Sequence, residues 1–286
     1  MSAASPTMSL FTTCKHALGK SLQWRFLLLW VLALALPTLI VSLPLFITLN
    51  QVLGRSLSSA SLLDGLDVGV VGDLIGGLMA QGWSPSGGIG GLILFAVSLP
   101  WLSGLLVAVA RSETVLPIGE LAAAGLREYG RMLRLWIWAI VPIAVFGGLG
   151  SAALHWADSH ADTQILSADA DRAQHWAMAF AVLMIAFVSA TLDAARARFA
   201  SEPHRHSAFF AWWAGFRDVI CRPRWWVAYV LLTVFGLILA ALFAWARIQI
   251  APVGFWSFAL DVLLAQLIVV GLAWARAARV VAFAKR

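Results

Sequence analysis

Residues 26–49 read FLLLWVLALALPTLIVSLPLFITL, a run of 24 residues without a charged side chain. A helix needs roughly 20 consecutive apolar residues to cross the hydrocarbon core of a bilayer. Further predominantly apolar runs of this length follow along the chain, at about 88–110, 135–156, 176–199, 225–246 and 254–278. The sequence therefore predicts an all-α, polytopic membrane protein with six transmembrane helices.

The composition supports the same class. Of the 286 residues, 61% are hydrophobic and only 12% are charged, whereas soluble domains average about 45–50% apolar and about 25% charged residues. Such a chain cannot cover a surface that faces water. The composition excludes a soluble enzyme, a disordered chain and a disulfide-rich secreted domain.

The distribution of basic residues predicts the orientation of the spans. If the N-terminus is cytoplasmic, all of the 20 lysines and arginines lie on the cytoplasmic side except Arg55, Arg172 and Arg247. Basic residues concentrate on the cytoplasmic side of membrane proteins. We therefore expect both termini to be cytoplasmic, with 1–25 as an N-terminal segment and 279–286 as a tail. The net charge of +6 then reflects contact with an anionic inner leaflet, and no nucleic-acid partner is expected.

The predicted outer loop 51–87 contains a helical pattern of apolar residues. They recur every three or four positions, with aspartates between them, which predicts an amphipathic helix on the outer face. The apolar members are Leu63, Leu66, Val70, Leu74 and Leu78.

The two predicted cytoplasmic connections between spans resemble each other. Residues 125–128 read GLRE, and residues 215–218, which lie 90 positions later, read GFRD. The spans around both connections align at the same offset, which predicts a parallel repeat about the membrane normal. Each connection is expected to form an amphipathic helix that lies on the leaflet or docks a cytoplasmic partner. The candidate docking residues are Arg127, Glu128, Arg134, Arg217, Asp218 and Arg224.

Ionisable and polar residues inside the predicted spans are candidate functional residues, because such groups are costly in a bilayer. Asp261 and Gln266 lie in the sixth span, and Arg247 lies at the outer end of the fifth. A structural Asp261–Arg247 pair is the favoured interpretation, and proton or cation handling is the alternative. Asp193 and Arg196, three residues apart in the fourth span, are expected to form a local helical salt bridge.

Histidines and aspartates also concentrate in the predicted outer segment 155–175. Imidazole and carboxylate groups can bind divalent ions, but their spacing matches no specific metal motif. We therefore predict no metal site and no cofactor. The chain also contains none of the H-E-x-x-H, G-x-S-x-G or C-x-x-C signatures, so no enzymatic activity is predicted. The candidate ligands considered are His155, Asp158, His160, Asp171 and His175.

Three short stretches carry a resemblance to a known group. Residues 102–106 (LSGLL), 125–135 and 193–199 resemble a loose group of six-span bacterial inner-membrane proteins. Some members are related to the membrane domain that precedes certain glycerophosphodiester phosphodiesterases. The resemblance implies the six-span architecture and a bacterial inner-membrane location. It implies no activity, and no phosphodiesterase domain is present in this sequence.

Two functional hypotheses follow. The first is a non-enzymatic inner-membrane protein that serves as a scaffold or as the membrane subunit of a larger assembly. The alternative is a transporter or an ABC-type permease component. Because the chain lacks the G-x-x-x-x-G-K-[S/T] phosphate-binding loop, such a permease would work with a separate ATPase.

Overall fold

The computed structural model describes residues 9–53, 76, 86–161, 167–204, 207–250 and 254–284. Over these ranges the chain forms α-helices and no strand, which confirms the all-α prediction. In chain order the helices are α1 (Leu10–Ser21), α2 (Trp24–Leu53), α3 (Ser86–Arg111), α4 (Ile118–Arg127), α5 (Tyr129–Ala161), α6 (Ser167–Ser201), α7 (Ala208–Cys221), α8 (Pro223–Ile248) and α9 (Phe255–Ala284).

Six of these helices are long and apolar enough to cross a membrane, which confirms the predicted six spans. Several extend beyond the apolar runs in the sequence, because a helix continues for as long as its backbone hydrogen bonds are satisfied. The spans are Trp24–Ile47, Gly88–Arg111, Tyr129–His160, Asp171–Ser201, Pro223–Ile248 and Phe255–Ala284.

The chain divides into two compact units. Met1–Trp30 and Pro100–Arg286 form the larger unit, and Val31–Leu99 form the smaller one. Within the smaller unit, Gly91 lies directly against Val41, and a Cβ at Gly91 would collide with the valine side chain. This glycine allows α2 and α3 to approach closely.

The larger unit buries its side chains near one end of the helices. α5 packs along α6, α8 packs along α9, and α9 also contacts α6. Many of the buried residues on α6 and α9 are alanines, which let helices approach closely in membrane proteins. The opposite halves of α5 and α8 expose large apolar side chains such as Leu149 and Leu242, as expected of surfaces that contact lipid. The buried alanines of α6 and α9 are Ala177, Ala190, Ala194, Ala195, Ala197, Ala200, Ala273, Ala275, Ala277, Ala278 and Ala282.

The N-terminal segment is more structured than its sequence suggested. The Ser9 hydroxyl accepts a hydrogen bond from the Thr12 amide and caps α1. α1 packs on α9, and the indole nitrogen of Trp274 donates to the Leu18 carbonyl oxygen at 3.0 Å. Lys20 Nζ donates to the Ala110 carbonyl oxygen at 2.8 Å, which joins α1 to the end of α3.

The expected tail at 279–286 begins as helix. α9 continues past 278, the predicted end of the sixth span, to Ala284. Val280, Val281 and Phe283 are buried, and burial of this apolar stretch extends the helix. The predicted outer amphipathic helix at Leu63–Leu78 lies, apart from residue 76, outside the described residues and stays a prediction.

Candidate functional site

Asp193 on α6 is the centre of a buried cluster of charged side chains. The residue is only 1% exposed. Its Oδ1 accepts a hydrogen bond from Arg196 Nη1 at 2.6 Å, and its Oδ2 accepts one from Arg279 Nε at 2.9 Å. Both hydrogen bonds are charge-assisted and therefore stronger than neutral ones, and the one from Arg279 joins α6 to α9.

Arg279 also contacts two side chains of α8. Its Nη1 donates to Thr233 Oγ1 at 3.1 Å, and its guanidinium lies over the Tyr229 ring at 5.0 Å from the centroid. Such a contact favours the cation electrostatically. Arg279 is therefore a structural member of the cluster that joins three helices.

A third guanidinium lies at the edge of the cluster. Arg276 Nε is 4.0 Å from Asp193 Oδ1, and the Arg276 side chain is 35% exposed. Three arginines thus surround one carboxylate, which leaves a formal excess of two positive charges. Excess charge inside a membrane-spanning bundle is costly unless it is compensated.

A cavity of about 340 Å³ lies beside the cluster. Asp193 lies eight residues before the end of α6 and Thr233 ten residues after the start of α8. At 1.5 Å per residue, the cluster is about 12–15 Å from these helix ends. The cavity therefore lies within the bundle rather than on its end surface. Its lining residues are Ser189, Asp193, Arg196, Thr233, Gly236, Leu237, Leu272, Ala275, Arg276 and Arg279.

Only part of this cluster was visible in the sequence. The structure brings Asp193 and Arg196 together as the spacing of three residues indicated. It adds Arg276 and Arg279, which sequence reasoning assigned only to the set of basic residues on the cytoplasmic side. The sequence did contain a signal for these two arginines. They lie three residues apart on one helix, and no acidic residue lies nearby on that helix to neutralise them.

The helix α4 is attached to the span that precedes it. The indole nitrogen of Trp101 donates to the Ala122 carbonyl oxygen at 3.1 Å. Gly104 lies against Gly125 so closely that a Cβ at Gly104 would collide with the Gly125 carbonyl oxygen. These contacts hold α4 firmly against α3.

An ion-pair network follows directly after α4. Glu128 Oε1 accepts from Arg111 Nη1 at 2.7 Å, and Oε2 accepts from Arg131 Nη1 at 2.6 Å. Arg111 also donates to the Phe199 carbonyl oxygen at 2.9 Å, and Arg131 donates to the Glu202 carbonyl oxygen at 3.2 Å. The two arginines thereby satisfy carbonyl groups at the C-terminal end of α6, where cations are favourable.

The helix α7 is attached to its preceding span in a similar way. The indole nitrogen of Trp212 donates to Thr191 Oγ1 at 3.2 Å. A Cβ at Gly215 would lie 2.8 Å from the Ala195 amide nitrogen. Arg198 of α6 donates to Asp218 Oδ2 from Nη2 at 2.6 Å.

Contacts of α4 and α7 coincide at the offset of 90 residues. The hydrogen-bonded pair Trp101 and Ala122 lies 90 positions before the hydrogen-bonded pair Thr191 and Trp212. The tryptophan that donates is on the span in the first pair and on the connecting helix in the second. Gly104 and Gly125 correspond to Ala194 and Gly215, and the carbonyl carbon of Ala194 is 3.1 Å from a Cβ built at Gly215. The acidic residues Glu128 and Asp218 also differ by 90 and both bind an arginine of the preceding span.

We expect the variant Glu128→Gln to be less stable than the wild type by about 1–2 kcal/mol. The carboxylate is 9% exposed, and its loss weakens two hydrogen bonds between charged groups. Thermal unfolding of the purified protein in detergent measures the change. Glu120→Gln, on the exposed part of α4, is the matched control. An unfolding temperature shared by the two variants would contradict this role of Glu128.

The candidate docking residues form two groups, acidic residues that bind the spans and arginines that are exposed. Glu128 and Asp218 bind arginines of the spans, as described, whereas Arg127, Arg217 and Arg224 are exposed. Arg134 is also exposed, on the first turns of α5. A groove of about 430 Å³ on α7 is lined by Phe210, Trp213, Arg217 and neighbouring residues. The sequence predicted the charged members of this surface and missed its aromatic ones.

The structure places Arg247 and Asp261 together. Arg247 Nε donates to Asp261 Oδ1 at 2.6 Å, and Nη2 donates to Oδ2 at 2.9 Å. This two-point contact between α8 and α9 satisfies both charges. Gln266 is half-buried on α9, five residues beyond Asp261.

The histidine- and aspartate-rich segment shows no assembled metal site in the part of the chain that the structure describes. No group of three or more His, Cys, Asp or Glu side chains is placed there to hold a metal ion. His160 stacks on Trp156 at 5.1 Å between centroids, and His175 Nδ1 contacts the Asp171 carbonyl oxygen. His155 and Asp158 are exposed on α5.

Comparisons of the whole chain with models of protein families, with curated proteins and with solved structures give no match. The resemblance to six-span bacterial proteins therefore stays a prediction. The two features of the structure that bear on function are the Asp193 cluster and the helices α4 and α7, which are attached to their preceding spans.

Proposed function

We propose that this chain is a non-enzymatic protein of the bacterial inner membrane and serves as a scaffold or membrane subunit of a larger assembly. In this proposal both termini are cytoplasmic, and α4 and α7 dock a cytoplasmic protein with an acidic surface. The groove on α7 carries the proposal, because it places apolar aromatic side chains beside arginines.

The chemistry of the groove supports protein binding. Phe210 is 60% exposed and Trp213 is 53% exposed, and both line the groove with Arg217 and Arg222. Tryptophan and arginine are enriched among the residues that dominate the energy of protein interfaces. The exposed arginines favour an acidic partner, because complementary charge gives specificity and speeds association.

The attachment of α7 to α6 supports the same function. Trp212, Gly215 and Asp218 hold α7 against the span, so the groove needs little ordering when a partner binds. A preorganised surface loses less conformational entropy on binding than a mobile one. α4 is attached in a corresponding way and presents Arg127 at the position equivalent to Arg217.

A permease component is the second candidate function, and the 90-residue correspondence favours it. We infer that the two units of span, connecting helix and span form a parallel repeat. In that arrangement a separate ATPase would contact α4 and α7, and their attachments would transmit its movements to α3 and α6. Asp261 gives this candidate no support, because its carboxylate is paired with Arg247.

The docking proposal is tested with tagged full-length protein purified from native membranes after chemical cross-linking. We expect a cytoplasmic partner with an acidic surface to co-purify with the wild type. The double variant Arg127→Glu and Arg217→Glu reverses the charge of both helices and should lose that partner. Lys15→Glu, an exposed reversal on α1, should retain it. Equal recovery with all three proteins, or no partner with any, would contradict docking; an ATPase as partner would favour the permease.

The proposed orientation predicts where and how fast the two cysteines react. Cys221 is exposed and Cys14 is half-buried, and burial raises the pKa of the Cys14 thiol. Because the thiolate is the reactive form, Cys14 should react more slowly than Cys221 at neutral pH and gain more rate as the pH rises. A membrane-impermeant maleimide applied to single-cysteine variants measures both rates.

Inverted membrane vesicles and intact spheroplasts distinguish the two orientations. We expect the maleimide to label Cys221 in inverted vesicles, where the cytoplasmic face is outermost. Spheroplasts should leave Cys221 unlabelled until detergent is added. Rapid labelling of Cys221 from the outside of spheroplasts would reverse the proposed orientation.

A further inference from the structure

We infer that the cavity beside Asp193 binds the phosphate group of an anionic ligand through Arg196 and Arg276. The site is separate from the groove on α7 and does not depend on the docking proposal. Four observations carry it: the excess positive charge, an unpaired buried donor, a half-exposed arginine and the cavity that these groups line.

A bound anion would neutralise the excess positive charge of the cluster. Asp193 neutralises one of the three guanidiniums, and among the residues that the structure describes no other acidic side chain lines the cavity. A phosphate monoester carries close to two negative charges at neutral pH, and a phosphodiester carries one. Either form would compensate the excess better than water, because buried charges are stable only when they are paired and hydrogen-bonded.

Arg279 and Arg196 differ in how many of their hydrogen-bond donors are engaged by neighbouring side chains. Arg279 is engaged by Asp193, Thr233 and the Tyr229 ring. Arg196 uses Nη1 for Asp193, but its buried Nε has no hydrogen-bond partner within the described part of the chain. The Arg196 side chain is 10% exposed, so bulk water does not readily serve that donor.

Arg276 supplies a second guanidinium to the cavity. Its Nε is beyond hydrogen-bond distance from the Asp193 carboxylate, and its side chain lines the cavity together with the hydroxyl-bearing Ser189. The planar guanidinium matches the oxygen atoms of phosphate and binds them at two points. Arg196 and Arg276 therefore provide the contacts, and Asp193 and Arg279 hold Arg196 and α9 in position.

The position of the cavity suits a phospholipid headgroup as well as free phosphate. Leu237 and Leu272 line it and are 55% and 42% exposed. Exposed leucines on membrane-spanning helices face lipid, so the cavity borders a lipid-facing surface. Basic pockets between spans are typical binding sites for the headgroups of anionic lipids.

Binding is tested on purified full-length protein in neutral detergent by thermal unfolding and by native mass spectrometry. The probes are phosphatidylglycerol and inorganic phosphate, with phosphatidylcholine and sodium chloride as matched controls. We expect a saturable increase in the unfolding temperature with at least one of the two anionic probes. A response to phosphatidylglycerol alone identifies the source as a lipid, and a response to both identifies the site as open to free phosphate.

Arginine variants locate the site. Arg276→Gln and Arg196→Gln should raise the apparent Kd at least about tenfold, because each removes charged hydrogen bonds to phosphate. Arg276→Lys should give an intermediate loss. Lys15→Gln, which removes an exposed cation on α1, should stay within about twofold of the wild type, as expected for loss of one distant surface charge.

Three results would overturn the proposal. They are the absence of a response to both anionic probes, an equal response to phosphatidylcholine, and an Arg276→Gln variant that binds like Lys15→Gln. The Arg276 variants keep the test decisive even if Arg196→Gln fails to fold, because Arg276 is partly exposed and its Nε lies 4.0 Å from the Asp193 carboxylate, beyond hydrogen-bond distance.

Discussion

The variant Asp193→Asn is expected to lose about 3–5 kcal/mol of stability. Removing one partner of a buried ion pair leaves the remaining charges uncompensated, and the penalty has this magnitude. In this cluster the change leaves Arg196 and Arg279 without their shared carboxylate on α6. We expect a large decrease in the unfolding temperature in detergent and aggregation during size-exclusion chromatography.

A matched variant and a double variant make this prediction specific. Asp158→Asn makes the same chemical change at an exposed position on α5 and should leave the unfolding temperature nearly unchanged. Combining Asp193→Asn with Arg196→Gln removes one of the stranded charges, so the double variant should be more stable than additivity predicts. Similar unfolding temperatures for Asp193→Asn and Asp158→Asn would refute the structural role of the cluster.

The six spans were predictable because their signal is local. The uncharged run at 26–49 requires a helix of membrane length whatever the rest of the chain does. The same holds for the other apolar runs, and the structure shifts their ends by a few residues. α1 was missed because a short helix of mixed polarity is stabilised by contacts such as that of Trp274 with Leu18, 256 positions apart.

The Asp193 cluster could be predicted only in its local half. Arg196 lies three residues from Asp193 on the same helix, and such pairs are visible in a sequence. Arg279 lies 86 residues away, and nothing in a single sequence states which arginine a distant helix brings to a carboxylate. Arg247 and Asp261 are 14 residues apart across one turn, and for that reason their pairing could be proposed from the sequence.

The variants Gly104→Ala and Gly215→Ala are expected to detach the connecting helices from their spans. At Gly104 the added Cβ collides with the Gly125 carbonyl oxygen, and at Gly215 it would lie 2.8 Å from the Ala195 nitrogen and 3.0 Å from the Thr191 oxygen. These neighbours are backbone atoms, which cannot rotate away, so each helix must move. We expect a loss of about 3 kcal/mol for Gly104→Ala, at the upper end of the usual cost of overpacking, and a smaller loss for Gly215→Ala.

The variant Gly148→Ala is the control that separates the steric collision from the effect of helix propensity. No atom lies within 4 Å of a Cβ built there, so Gly148→Ala should stabilise α5 by up to about 1 kcal/mol. Thermal unfolding ranks the three variants, and limited proteolysis at the connections reports whether α4 or α7 has detached. If Gly104→Ala and Gly215→Ala each free only their own helix, the two attachments act independently. Unfolding temperatures at or above that of the wild type for both would show that close backbone contact does not hold these helices.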